Sequence, residues 1–100
     1  KESIFVPFFG VPAATITGLP RLPRLAGAAV MPCVVRILPG GAGYVLTLGE
    51  PWQDYPSDDV EADTRRMNVW LEGVVRTMPE QYYWVHRRFK TRPEGEPRIY

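Results

Sequence analysis

Cys33-Val34-Val35-Arg36-Ile37-Leu38-Pro39-Gly40-Gly41-Ala42-Gly43-Tyr44-Val45-Leu46-Thr47-Leu48 is the stretch whose reading sets the fold. Pro39 to Gly43 is a dense turn signal between two apolar runs, and it predicts a β-hairpin with a five-residue loop. The first strand extends back through Ala28 as a largely buried segment, interrupted or bulged at Pro32. Cys33 reads as a small buried hydrophobe within it.

On the C-terminal side of the hairpin, residues 51–57 form a polar, proline-containing connection. Asp58 with Glu61 then reads as a capping box, and Asp59 adds charge to the first helical turn. Val60, Thr64, Met67, Leu71, Val74 and Met78 recur at spacings of four and three, which predicts an amphipathic helix. Trp70 and Val75 widen its apolar stripe, and Pro79 ends it or restarts the chain as a first-turn residue.

On the N-terminal side, residues 4–9 are apolar around Pro7, which suits an edge strand or an extended loop. Gly10 and Pro12 turn the chain. Within residues 13–26, Ile16, Leu19, Leu22 and Leu25 recur at every third position and predict a helix, with Arg21 and Arg24 on its other side. Pro20 and Pro23 oppose an unbroken helix, so the expected start is near Pro20, with Thr15 or Thr17 close to it and Gly27 as the stop. The predicted elements are a β-hairpin with flanking helices, and 100 residues make one domain or a piece of one.

Met78 to Pro93 carries four of the twelve aromatics and a third of the Lys and Arg. Residues 80–90 predict a third helix in which Tyr82, Val85 and Phe89 share a face. Interleaved rings and fixed positive charge suit contact with phosphate or with an acidic surface, and they make Arg87, Arg88 and Lys90 candidate binding residues. Asp54 to Asp63 is an acidic counterpart that offers internal ion pairs instead. The last ten residues read as an extended tail.

No catalytic constellation is legible. His86 is the sole histidine and has no acid nearby in sequence to orient it. One His and one Cys do not make a closed zinc site, and no cofactor fingerprint is present. Gly40-Gly41-Ala42-Gly43 lacks the spacing and the lysine of a phosphate loop. The net charge of +1 argues against a nucleic-acid partner. The single cysteine excludes an internal disulfide and points to a reducing compartment. No apolar run approaches the about 20 residues that span a bilayer. The chain begins with Lys1, which leads us to expect a piece of something longer.

Pro79-Glu80-Gln81-Tyr82, Trp84 and His86-Arg87-Arg88-Phe89-Lys90-Thr91-Arg92-Pro93 together resemble the C-terminal signature of the bacterial lipid A biosynthesis acyltransferases, the lauroyl- and myristoyltransferase group. Phe5-Val6-Pro7-Phe8-Phe9-Gly10, Pro12-Ala13-Ala14-Thr15, Thr17-Gly18, Leu25, Gly27-Ala28 and Val30 with Pro32 are similar to the same family's second half. The resemblance is specific at both ends and looser from residue 36 to 75, and Pro23 departs from it.

The resemblance implies an α/β class, with residues 1–100 as the C-terminal part of a glycerolipid-acyltransferase-like fold. It implies an enzyme that moves a fatty acyl chain from acyl carrier protein to a hydroxyl of a Kdo-bearing lipid A precursor, at the cytoplasmic face of the bacterial inner membrane. The family's catalytic pair is His-x-x-x-x-Asp/Glu. Five residues after His86 stands Thr91, so the pair is expected upstream of Lys1, and this chain alone is expected to be inactive. Thr15 and Thr17 are the candidate hydrogen-bond donors to the acceptor, beside Arg87, Arg88 and Lys90. Two alternatives remain open: an acyltransferase for phosphatidylinositol mannosides or another glycolipid, and a non-catalytic basic–aromatic module. A domain cut through its sheet is expected to expose a strand edge and part of its core.

Overall fold

The computed structural model describes residues 3–82 and 86–100. β1 (Ser3–Phe8) and β2 (Val11–Ile16) form one antiparallel hairpin, and α1 (Gly18–Ala26) follows. β3 (Cys33–Ile37) and β4 (Tyr44–Leu48) form a second hairpin, and the long helix α2 (Val60–Thr77) packs against β1 of the first. Single 3₁₀ turns lie at Pro39–Gly41 and Pro79–Gln81. The molecule is a slab of 46 × 38 × 18 Å, thin enough for two layers.

The first hairpin corrects the sequence reading of residues 13–16, which are strand and not the approach to a helix. Its turn is Phe9-Gly10, both at positive φ (52° and 79°), the signature of a tight hairpin turn. A phenylalanine pays a steric penalty there, and α2 offsets it. The Phe9 amide donates to Glu72 Oε2 at 2.7 Å, and the Arg76 guanidinium lies 4.9 Å from the Phe9 ring centre. Pro7 faces Pro12 across the ladder, a rung with no N–H on either side; antiparallel pairing tolerates this because alternate rungs exchange no hydrogen bonds. Strand period two then turns Val6, Phe8, Ala13 and Thr15 toward α2, and all four are buried.

α1 begins at Gly18, two residues before the expected start near Pro20, with Thr17 at its N-cap; it stops at Gly27, which takes the left-handed conformation (φ 64°), as its sequence suggested. Its buried face is the unexpected one. Pro20 and Pro23 lie inward, while Leu22 and Leu25 are 67% and 85% exposed. Pro20 is third in the helix, where no intrahelical N–H bond is required, so proline costs little there.

The second hairpin forms in the expected place, with Val35 opposite Leu46 and Ile37 opposite Tyr44. The expectation of a largely buried strand fails. Cys33, Val35, Ile37, Tyr44, Leu46 and Leu48 share one face, and every one is exposed. Cys33 is therefore surface, not core. Pro32 precedes the strand, and its carbonyl accepts from the Gly49 amide at 2.9 Å. That approach requires glycine, because a Cβ at position 49 would lie 2.8 Å from Pro32 Cγ. Gln81 closes the free edge of β3 by accepting from the Ile37 amide (2.8 Å) and donating to its carbonyl (3.0 Å).

α2 is capped by Asp59, not Asp58: its carboxylate accepts from the Ala62 amide at 3.1 Å. The buried stripe runs through Thr64, Val75 and Met78 as expected, with Asn68 buried beside the half-buried Met67; Val60 is 37% exposed. Trp70 packs edge-on against Trp52, which packs against Tyr55, and Arg66 covers both of the latter rings.

The helix expected over residues 80–90 is not present in its described part. The 3₁₀ turn ends at Gln81, residues 86–90 form bends and turns, and Tyr83, Trp84 and Val85 lie outside the described residues. The physical reason lies at Phe8. Tyr82, Phe89 and Arg88 all converge on its ring, with Phe89 at 6.1 Å and the Arg88 guanidinium at 4.2 Å. In a helix, Arg88 and Phe89 would point about 100° apart. The tail is fixed by Arg92, whose Nη1 donates to the Pro12 carbonyl at 2.8 Å and whose Nη2 pairs with Glu96 at 3.6 Å.

Candidate substrate-contact site

Asn68 is the centre of the site, and the sequence reading assigned it no role. It is fully buried on α2. Its Nδ2 donates to the Pro7 carbonyl (3.2 Å) and to Thr15 Oγ1 (3.3 Å), and its Oδ1 accepts from Arg88 Nη2 at 2.6 Å. One amide thus joins β1, β2, α2 and the C-terminal segment. An asparagine in phase with Thr64 on a buried helix face is the signal that could have found it, since buried polar side chains occur where partners are supplied.

Of the five candidate binding residues, the structure brings Thr15 and Arg88 together through Asn68. Thr15 is buried, and its hydroxyl donates to the Ala13 carbonyl at 3.0 Å. Its proton is committed there, so Thr15 positions Asn68 and does not itself donate outward. Thr17 is buried at the start of α1, without a side-chain capping bond. Arg87 is exposed and lies over the Tyr100 ring at 5.7 Å, and Lys90 is exposed. The basic run therefore divides, with Arg88 turned inward and Arg87 and Lys90 outward.

Arg88 and His86 line a cavity of about 340 Å³ together with Thr15, Ile16, Leu19 and Met67. Among the described residues no carboxylate pairs with either side chain, and the ion pairs that form are Arg24–Asp58, Arg76–Glu72 and Arg92–Glu96. The acidic stretch 54–63 serves its own loop instead: Asp63 accepts from the Ser57 amide and hydroxyl at 2.7 and 2.8 Å. Burial, reinforced by the Asp63 charge and opposed by Arg66, pushes the Tyr55 hydroxyl from 10.0 up to about 12. Among the described residues no three His, Cys, Asp or Glu side chains converge, and no helix is long and apolar enough to cross a membrane.

A chain with two hairpins, two helices and an arginine–asparagine corner belongs to the small α/β class. Its family follows from the sequence match: residues 1–91 fit the bacterial lipid A biosynthesis acyltransferase family, and the chain belongs to that family. It is 48% identical over 101 aligned residues to a lipid A biosynthesis lauroyltransferase of Escherichia coli K12, covering the whole of this chain and 33% of that protein. It is 42% identical to a palmitoleoyltransferase and 34% identical to a myristoyltransferase of lipid A biosynthesis from the same organism; each match takes in the whole chain and covers 33% and 31% of those proteins. The chain thus spans about a third of the length of the curated relatives it matches. No solved structure matches it.

Proposed function

We propose that this chain forms the C-terminal portion of an acyltransferase of lipid A biosynthesis. The enzyme transfers a fatty acyl chain from acyl carrier protein to a hydroxyl of a Kdo-lipid A precursor, at the cytoplasmic face of the inner membrane. The observation that carries this reading is the family match over residues 1–91, supported by relatives named as lauroyl-, palmitoleoyl- and myristoyltransferases of the same pathway. Those names differ in the acyl group and agree on the lipid.

The base–acid pair belongs to the rest of the polypeptide. His86 has neither a hydrogen bond nor an ion pair to a carboxylate among the described residues, so no carboxylate among them orients it as a base. This portion instead supplies part of a glycerolipid-acyltransferase-like fold. Its uncovered surfaces agree with that role: the outer face of β3–β4 and the Leu22–Leu25 side of α1 are apolar and exposed, as expected where a further layer packs. Arg88, held in place by Asn68 and Thr15, is its contribution to substrate contact.

The test is acyl transfer by the full-length protein from acyl carrier protein donors, offered lipid A precursor and phosphatidylinositol mannoside in parallel. Acylation of the lipid A precursor is expected. Turnover of the mannoside alone would overturn the assignment of substrate.

A further inference from the structure

The second hairpin has two outer edges, and the molecule treats them differently. The Leu38 amide donates to the Gly43 carbonyl, and the Gly49 amide donates to the Pro32 carbonyl. These two pairs bracket the register of β3 and β4 and set its parity. Antiparallel rungs alternate, so Val34 with Thr47 and Arg36 with Val45 exchange the ladder hydrogen bonds. The N–H and C=O groups of Cys33, Val35 and Ile37 then point outward from β3, and those of Tyr44, Leu46 and Leu48 point outward from β4. Gln81 agrees with that parity, because it bonds both outward groups of Ile37.

Three of the four described strands carry a side chain against an outward group. Asn68 donates to the Pro7 carbonyl of β1, Arg92 Nη1 donates to the Pro12 carbonyl of β2, and Gln81 closes β3 at Ile37. Among the described residues nothing bonds the outward groups of Tyr44, Leu46 or Leu48. β4 also lacks the sequence devices that keep an edge from pairing: it holds no proline and no charge, and its register is unbroken by a bulge. Its two faces are both apolar. Tyr44, Leu46 and Leu48 lie on the open face, and Val45 shares a cavity on the other with Val34, Trp70 and Val74. A strand apolar on both faces suits the interior of a sheet, and two strands alone make a marginal one. The chain spans 33% of the length of the lauroyltransferase that it matches throughout, so further chain is at hand to complete the sheet.

We propose that β4 is an interior strand of the complete protein, and that a strand from the rest of the polypeptide pairs along its outer edge through the N–H and C=O groups of Tyr44, Leu46 and Leu48. The pairing joins the two parts of the polypeptide by main-chain hydrogen bonds in the plane of the sheet, beside the layer that packs on its outer face. It rests on the family match for the further chain, and it is independent of which lipid is acylated.

The experiment is hydrogen exchange resolved to single amides, on the monomeric fraction of the full-length protein. Val45 and Thr47 donate within the hairpin and serve as the internal reference. All four amides, Val45, Leu46, Thr47 and Leu48, should exchange at least about a hundredfold more slowly than in an unstructured peptide, with Leu46 and Leu48 within about tenfold of the other two. Fast exchange at Leu46 and Leu48 beside slow exchange at Val45 and Thr47 is the alternation of an open edge and overturns the proposal. Fast exchange at all four overturns it as well. Protection of Leu46 and Leu48 that appears in a dimeric fraction and is lost in the monomer assigns the edge to a second copy, which also overturns it. Acyl transfer measured on the same preparation separates the two readings. Transfer with an alternating edge removes only this inference, and uniform protection without transfer to any acceptor removes only the enzyme assignment.

Discussion

Replacing Asn68 with alanine should loosen the first hairpin, the long helix and the C-terminal segment together. The side chain makes one charge-assisted hydrogen bond, from Arg88 Nη2 at 2.6 Å, and two longer neutral ones, to Pro7 O and Thr15 Oγ1 at 3.2 and 3.3 Å. The first is worth about 1.5–3 kcal/mol and each neutral bond, at its length, about 0.5 kcal/mol. The summed loss is about 2.5–4 kcal/mol, and the bond to the half-buried guanidinium carries most of it. Native-state hydrogen exchange in the full-length protein measures this locally, as the opening free energy of the β1 and β2 amides. Asn68→Asp should cost less than alanine, because the carboxylate still accepts from Arg88 while losing the donor to Pro7 and Thr15. A double-mutant cycle of Asn68→Ala with Arg88→Ala should return a coupling of about 1.5–3 kcal/mol. A loss below about 1 kcal/mol, or additive single mutants, would refute the view that one amide joins these elements.

Tyr55→Phe should be neutral or stabilising near neutral pH, since the buried hydroxyl has no partner among the described residues. With the folded value raised from 10.0 to about 12, the folded state holds the phenolic proton longer, so this contribution is present below pH 10 and lost as pH rises toward 12. The displacement corresponds to roughly 3 kcal/mol, and the variant should flatten that part of an alkaline unfolding curve. Gly49→Ala places a Cβ 2.8 Å from a rigid proline ring, so a loss of about 1–3 kcal/mol by chemical denaturation is expected. Gln81→Ala removes both hydrogen bonds to Ile37 at the edge of β3. It should cost about 1 kcal/mol and raise light scattering on concentration, because the edge is left unpaired.

The parts of the fold legible in sequence are those fixed by local chemistry. Pro39 to Gly43 marked the second hairpin, the four-three spacing marked α2, and Gly27 marked the stop of α1. Elements set by tertiary contact were misread. Residues 13–16 continued a leucine-like period into what is strand, because the Phe9-Gly10 turn depends on Glu72, sixty-three residues away. The Tyr82–Lys90 segment carried a helical pattern, but its rings and Arg88 are drawn to a single side chain, Phe8, which no local window contains. Leu22, Leu25 and the outer face of β3–β4 were read as core and are exposed, because apolar pattern reports what is to be covered and not what covers it. At the site, Arg88 and Thr15 were singled out from sequence. Asn68 was not, because an asparagine within an amphipathic helix shows its value only through partners on three other segments.

The central claim is met most directly in the lipid itself. Mass spectrometry of lipid A from a bacterial strain lacking its own acyltransferase of this family, and expressing the full-length protein, should show a species heavier by one fatty acyl group. Lipid A of unchanged mass, with the protein present in the membrane fraction, would contradict it.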